Sequence, residues 1–441
     1  MPTRNTVADA RAGARLMTAP SALFPGDESE ANDVTQICFR VEPAATSGRC
    51  RMSFRELMGA VLCVLALWSP ARVGATPRFV YLTWQEDPAT AVTVNYHTLP
   101  PSTGAAPAPG LIVGKRAVDN TTYVEYDLSA RVAAQGSYRF WARGTFRAWT
   151  SGTDRRLVHR VVLRELLPDT RYSFVVGDDT NSPGEPYSFR TAPRGRAPIT
   201  FISGGDMGLG ARSGALLAQA ARQSPLFCLL GGDLAYAGAV PEHFERWDRW
   251  LENWQRNMVT PDKRLVPLVL ALGNHDVDRR GQAPTAPFFF GYFAQSERSY
   301  FARRVGDIAL FVLDSGHMAA HAGGQRAWLD RQLRAHRDAR FRIAVYHVPL
   351  YPGYRPLEST GSQQGRTHWR PLFDQYHLTT AFENHDHMLK RTKLLRADRE
   401  DPEGTLYLGD GCFGVTSRIV KGPRQVDRGR RWYLAKAATG A

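Results

Sequence analysis

From residue 76 to about 191, apolar and polar positions alternate in short runs separated by turn residues. "FVYLTWQ" and "AVTVNYHT" flank the turn "EDPAT", and "YVEYDL", "YRFWARG", "HRVVLREL", "RYSFVVGD" and "PYSFRTAP" continue the pattern. A period of two puts alternate side chains on one face, so each run predicts a half-buried strand. Strands at this spacing, with no amphipathic helix among them, predict a β-sandwich. Trp84 is the expected core tryptophan. Tyr172, just after a Leu-Pro-Asp turn, is placed to bond back to upstream backbone, as in a tyrosine corner. His97 and His159 fall on strands and are expected at the surface. Nothing in this part carries candidate chemistry.

After the Pro/Gly-rich linker "APRGRAP" the pattern changes. Continuous apolar runs now end in polar loops: "ITFISGGDMG", "LFCLLGGDLAYAG", "LVPLVLALGNHDVD", "DIALFVLDSG", "FRIAVYHVPLY" and "TTAFENHDH". "GALLAQAARQ" and "GQRAWLDRQLRA" between them have helical periodicity. So does "EHFERWDRWLENWQRNM", whose Phe244, Trp247, Trp250 and Trp254 predict a helix face packed on the core. Strands alternating with helices predict an α/β domain, and such sheets place ligand sites beyond the strand C-termini.

Length and composition fit a multidomain globular chain: 441 residues, 43% hydrophobic and 22% charged. The net charge of +14 comes from arginine spread along the chain rather than from a dense basic run, so no specific nucleic-acid contact is expected. Five cysteines without a CxxC spacing exclude a thiolate zinc site, and Cys228 reads as a small buried hydrophobe. From Met52 runs "MSFRELMGAVLCVLALWSPARVGATP": a basic Arg55, an apolar stretch too short to span a bilayer comfortably, and a small-residue end at Val73-Gly74-Ala75. This predicts an export signal over 52–75, preceded at 1–51 by an extension outside the native or ordered chain. The sandwich follows at 76–194, the α/β domain at 198–425 and a tail at 426–441. A secreted or periplasmic location, without a stable membrane span, is the expectation.

The chemistry lies at the strand ends. These offer Asp206; Asp233 with Tyr236; Asn274 with His275 and Asp276; His347; and His385 with His387. Oxygen and nitrogen donors without thiolate suit iron, zinc or manganese. Gly-Asp and Asn-His are also ordinary turn chemistry, so each loop alone says little. Five such loops in order, each after an apolar strand, form a constellation. His317, His321, His336, His368 and His377 fall outside it and read as surface or structural. Asp314 is expected to satisfy backbone donors.

The blocks "GDMG", "GDLAY", "GNHD", "VYH" and "NHDH" resemble the five metal-binding blocks of the purple acid phosphatases, within the metallophosphoesterase superfamily. The sandwich, which resembles a fibronectin type III domain, matches the domain order of plant-type members. The resemblance covers roughly residues 77 to 420 and implies a fibronectin-like β-sandwich followed by an α/β metallophosphoesterase domain, itself an αββα sandwich. It implies two metal ions. Fe(III) would be held by Asp206, Asp233, Tyr236 and His387, with the Tyr236 phenolate giving colour. Zinc, iron or manganese would be held by Asp233, Asn274, His347 and His385, with Asp233 shared. His275 would bind the phosphate or protonate the leaving group, and Asp276 either orients His275 or stabilises its turn.

The implied activity is hydrolysis of a small phosphate monoester by a secreted enzyme, with hydroxide as the nucleophile. Two alternatives stand beside it: a diester or nucleotide hydrolase using the same site, and a non-catalytic surface-binding protein using the sandwich. The sequence departs from the family at Asn384, where glycine is usual, at Ala344, where valine is usual, and in "MLKR" after His387, which keeps only Arg391. Family substrate-binding histidines after the fourth block are not evident; Tyr351, Tyr354 and Arg355 stand there instead.

Overall fold

The structure, a computed structural model, describes residues 77–98, 122–151, 154–177, 186–409, 411–418 and 431–438, and the backbone of a short strand, Cys38–Val41. The expected export signal and most of the expected extension lie outside the described residues. Among the described residues no helix is long and apolar enough to cross a membrane.

The alternating runs form two antiparallel layers. Arg78–Thr83, Val92–Thr98, Asp154–Leu163 and Thr145–Ser151 lie side by side in one. Phe140–Arg143, Tyr123–Leu128, Arg171–Gly177 and Tyr187–Arg190 make the other. Val80, Leu82, Trp84, Val94 and Tyr96 meet Val124, Phe174, Val176 and Phe189 in the core between them. The Leu167 amide donates to Tyr172 Oη at 2.9 Å, closing the tyrosine corner. One helix, Ser129–Gln135, interrupts the all-strand pattern expected here. It buries no residue, so it has no apolar periodicity to read, and Gly136 at φ 64° stops it.

The α/β domain has two sheets. Ile199–Gly204, Phe227–Leu230 and Leu268–Leu270 run parallel, and Leu268 pairs with Thr83, so this sheet continues into the sandwich. Ile308–Val312, Phe341–Tyr346, Thr380–Glu383 and Thr405–Gly409 form the parallel centre of the second sheet. Phe201, Leu229 and Val269 face Leu310, Val312, Ile343 and Val345 between the sheets. Intervening residues turn outward. Cys228, Leu230 and Leu270 pack with Trp247, Trp250 and Trp254 of helix Phe244–Asn257. Phe311, Ala344 and Tyr346 pack with Leu329 and Leu333 of helix Gly323–Ala335. Both faces of each sheet are thus covered, which explains the unbroken apolar runs. The layers run helix, sheet, sheet, helix, and the parallel strands deliver their C-terminal loops to one edge.

His97 and His159 depart from expectation: both are buried. Tyr292 of the α/β domain covers the His97 ring at 4.6 Å, and Arg156 beside it reaches Asp248 on helix Phe244–Asn257 at 2.6 Å. Strand alternation marks two faces but cannot say that a second domain covers one of them. His159 stacks on Tyr96 at 4.4 Å and lies 2.8 Å from both Thr98 Oγ1 and Thr122 Oγ1.

Burial pushes the His159 pKa down to about 4. The folded protein therefore keeps this ring neutral, while the unfolded chain protonates it near pH 6.5. Its contribution is whole above about 6.5 and falls as pH drops towards 4, by about 3 kcal/mol across that window. Denaturant unfolding at stepped pH is expected to show a shallower acid slope in His159→Gln than in the parent. An identical slope would mean that the ring titrates normally.

Candidate metal centre

Each candidate ligand sits just past a strand end. Asp206 follows Ile199–Gly204, Asp233 and Tyr236 follow Phe227–Leu230, Asn274 follows Leu268–Leu270, His347 follows Phe341–Tyr346, and His385 and His387 follow Thr380–Glu383. Five of these seven residues are held at positive φ: Asp206 (54°), Asp233 (55°), Tyr236 (53°), His385 (70°) and His387 (53°). Non-glycine residues avoid that region at a cost of roughly 1–3 kcal/mol each, so strain of this kind clusters where geometry serves function.

The side chains converge. Tyr236 Oη donates to Asp206 Oδ1 at 3.2 Å, and His387 Nε2 lies 3.0 Å from that same oxygen. Tyr236 Oη is 3.4 Å from His387 Nε2. On the other side His347 Nε2 lies 3.3 Å from Asp233 Oδ2, 3.2 Å from Asn274 Oδ1 and 3.0 Å from His385 Nδ1. One donor atom from each of Asp206, Asp233, His347 and His385 fits within 4.8 Å of the others, a grouping able to hold a metal ion. The structure thus brings the seven side chains together, with Asp206, Tyr236 and His387 meeting on one side and Asp233, Asn274 and His385 gathered around His347 on the other.

The donor chemistry fits cations. His347 Nδ1 lies 2.9 Å from the Gly231 carbonyl, which can only accept, so Nδ1 carries a proton, and Nε2, which faces the cluster, is the atom that would give up its proton to ligate. A backbone carbonyl behind a ligating histidine fixes tautomer and orientation in this way. Without a cation, buried charges must share protons. Burial raises the Asp206 pKa. Burial would also raise that of Asp233, but the charge of His347 and its hydrogen bond bring it below the ordinary value. Burial would lower His347, yet the charges of Asp233 and Asp206 lift it to about 9. His385 falls to about 2 through burial and the His347 charge.

Asn384, where glycine is usual in the family, is accommodated by other glycines. Its amide donates to the Tyr346 carbonyl at 3.0 Å and lies over Gly205 and Gly231. A Cβ on Gly231 would come within 1.7 Å of Asn384 Nδ2. Asp276 does not pair with the His275 ring. Its carboxylate accepts from the backbone amides of Asp233 (2.8 Å), Leu234 (3.0 Å) and Gly273 (2.9 Å) and pins two ligand loops together. Burial, with the Asp233 charge, pushes its pKa up to about 7. His275 is exposed, with its ring 4.6 Å from that of Tyr236 and its amide bonded to Asp233 Oδ1 at 2.8 Å.

Asp314 does accept backbone amides, from His317 (2.7 Å), Met318 (3.0 Å) and Ala319 (2.9 Å). His317 and His321 are buried structural residues, with His317 5.6 Å from the His347 ring.

Two descriptions of known families match the chain: the N-terminal domain of purple acid phosphatase over residues 77–191, and calcineurin-like phosphoesterase over residues 207–389. The chain joins a purple acid phosphatase N-terminal domain to a calcineurin-like phosphoesterase domain.

Purple acid phosphatase 23 of Arabidopsis thaliana is 25% identical over 300 residues, 60% of this chain and 64% of its own length. An uncharacterized protein of Mycobacterium tuberculosis is 28% identical over 278 residues, 54% of this chain and 51% of its own length. The chain therefore spans only about half to two thirds of these relatives. The purple acid phosphatase from yellow lupin seeds shares the fold, with TM-score 0.65 at 15% identity, over 83% of this chain and 68% of that one.

A further segment of the phosphoesterase domain was not legible as part of the site. Residues 411–418 wrap the centre: the Phe413 amide donates to the Gly205 carbonyl (2.9 Å), Val415 to that of Asp206 (3.2 Å) and Arg418 to that of His387 (2.8 Å). Its only sequence signal is the glycine-rich "GDGCFG" after an apolar run.

Proposed function

We propose that this chain is a dinuclear-metal phosphoesterase that hydrolyses phosphate monoesters and works outside the cytoplasm. The observation that supports it most is the convergence of seven oxygen and nitrogen donors around buried Asp206 and Asp233. In this reading Asp206, Asp233, Tyr236 and His387 hold Fe(III), and Asp233, Asn274, His347 and His385 hold zinc, iron or manganese. A cation pair there supplies neutralisation of phosphate charge and a lowered pKa for water.

The protein's own groups do the rest. His275, exposed beside Tyr236, reaches the phosphate or gives the departing alcohol its proton. Asp276 holds the Asp233 and Asn274 loops in register through three backbone amides and so acts as a positioning residue. The Gly231 carbonyl keeps His347 in the tautomer whose Nε2 can ligate. The sandwich braces the first sheet through the Leu268 and Thr83 pair and takes no part in the chemistry.

Elemental analysis with a visible spectrum and rates on paired substrates tests this reading. The purified protein is expected to carry two metal ions, to absorb in the visible, and to turn over p-nitrophenyl phosphate faster than its diester. Tyr236→Phe is expected to lose the visible band while keeping most of its metal. Protein loaded with metal but inert towards both esters would overturn the assignment. A metal-loaded, active parent without the band would remove iron and the Tyr236 phenolate from it.

A further inference from the structure

The loop after His347 and the segment 411–418 both tie into the His385–His387 turn, and each brings an arginine. The Tyr354 amide donates to Asp386 Oδ2 at 2.9 Å and the Arg355 amide to Asp386 Oδ1 at 3.4 Å. Asp386 is buried between the two histidines, so residues 354 and 355 are fixed against the candidate ligands. From the other side, the Arg418 amide is bonded to the His387 carbonyl at 2.8 Å. The Arg418 guanidinium carbon lies 4.9 Å from the centre of the Tyr354 ring. Tyr354 is itself 42% exposed, so this assembly borders solvent.

Both arginines have unused donors. Arg355 Nε stands 4.0 Å from Asp386 Oδ1, beyond hydrogen-bond reach, and its guanidinium makes no hydrogen bond among the described residues. Arg418 Nε is buried without a partner among the described residues. A buried donor left unmade is costly, and a guanidinium fork matches the oxygens of a phosphate. Burial lowers the Arg355 pKa and the charge of Arg418 lowers it further, while Asp386, Asp206 and Asp233 offset this in part. Both residues are anchored to the His385–His387 turn, and Arg418 lies over the neighbour of Arg355, so two like charges are brought to one place and repel one another. An anion between them would relieve that repulsion and take up the idle donors.

We propose that Arg355 and Arg418 form a second anion subsite beside the metal centre, one that holds a phosphate adjacent to the phosphate being cleaved. The inference rests on the phosphoesterase reading and narrows its substrate class to compounds with a diphosphate group. Water forms the new bond to the terminal phosphorus, and the bond from that phosphorus to the bridging oxygen breaks. The bridging oxygen leaves with the inner phosphate and takes up the proton that water gives off. Arg355 and Arg418 hold the inner phosphate throughout, and its charge grows as it departs, so they act in both binding and turnover. The Tyr354 ring holds the Arg418 guanidinium through a cation–π contact at 4.9 Å.

The test uses the metal-loaded protein with inorganic pyrophosphate and p-nitrophenyl phosphate as substrates, and methylenediphosphonate and inorganic phosphate as non-hydrolysed ligands in calorimetry. Arg355→Met and Arg418→Met are each expected to lower the ratio of kcat/KM for pyrophosphate over p-nitrophenyl phosphate by about 10- to 100-fold, as the loss of charged hydrogen bonds implies. Methylenediphosphonate affinity is expected to fall by a similar factor, and phosphate affinity by much less. Arg355→Lys, which keeps the charge and loses the fork, is expected to fall between. It also serves if the methionine variants unfold, as thermal denaturation would show. Arg399→Met, on the exposed strand Arg399–Glu400, is the control and is expected to leave the ratio intact.

An unchanged ratio in both arginine variants, or an equal fall on both substrates, would overturn the subsite. A parent that binds methylenediphosphonate no better than phosphate would do the same. A metal-loaded parent that hydrolyses neither substrate would instead sink the phosphoesterase reading, and the diphosphonate affinities would still report on the arginines.

Discussion

Replacing Asp233 with Asn is expected to remove most of the bound metal and to lower kcat on a phosphate monoester by on the order of 1000-fold. The substitution keeps side-chain volume and changes charge, which isolates the effect. Asp233 is buried at positive φ, with Oδ1 receiving the His275 amide at 2.8 Å and Oδ2 standing 3.3 Å from His347 Nε2. It is the carboxylate that the proposed ligand sets share. An amide there offers one neutral oxygen in place of two charged ones, so two cations in close proximity lose the charge that offsets their repulsion. The Asp233 charge is also the main influence raising the His347 pKa, so that ring's proton balance moves as well. Metal content by elemental analysis and kcat measured on one preparation check the prediction together. Full metal content and full turnover in Asp233→Asn would remove this residue from the centre. Loss of activity with both ions retained would leave it a role in turnover rather than in holding metal.

The second large effect concerns stability. Lys390→Met is expected to cost about 3–5 kcal/mol, because it leaves a buried carboxylate without its cation. Glu383 and Lys390 are fully buried and meet at 2.5 Å. Glu383 Oε1 also accepts from Tyr346 Oη (2.7 Å) and the Leu350 amide (2.6 Å), and Lys390 Nζ donates to the Tyr351 carbonyl. The pair closes the base of the turn carrying Asn384, His385 and His387, joining the end of Thr380–Glu383 to the start of Leu389–Arg396. At roughly 2–4 °C per kcal/mol for a domain of this size, the loss corresponds to a fall of about 6–20 °C in Tm. Glu383→Gln combined with Lys390→Met removes both charges and keeps an acceptor for Tyr346 and Leu350. Most of the loss is expected to return in that double variant, read by thermal unfolding. A double variant no more stable than Lys390→Met would mean that packing around the lysine stem, rather than the orphaned charge, sets the cost.

Within the sequence, each candidate ligand was legible because its signal is local. An apolar strand followed by Gly-Asp, Asn-His or His-x-His declares both the strand and the polar group beyond its end, and parallel strands bring such ends to one edge. The layered architecture was legible for a similar reason: a period of two marks a sheet with one face open, and an unbroken apolar run marks one covered on both. Where the reading missed or left two roles open, the deciding partner lay far along the chain. His97 is buried because Tyr292 covers it, and Asp276 turns to the amides of Asp233 and Leu234 rather than to its neighbour His275. The Glu383–Lys390 pair and the anchoring of Arg355 to Asp386 and of Arg418 to His387 carry no periodicity and no motif. The sequence by itself determined the elements and the chemistry at their ends, because both depend on neighbours a few residues apart. The tertiary structure alone decided which charges are buried, which are paired and which are left facing a ligand, because burial and pairing depend on segments that only folding brings into contact.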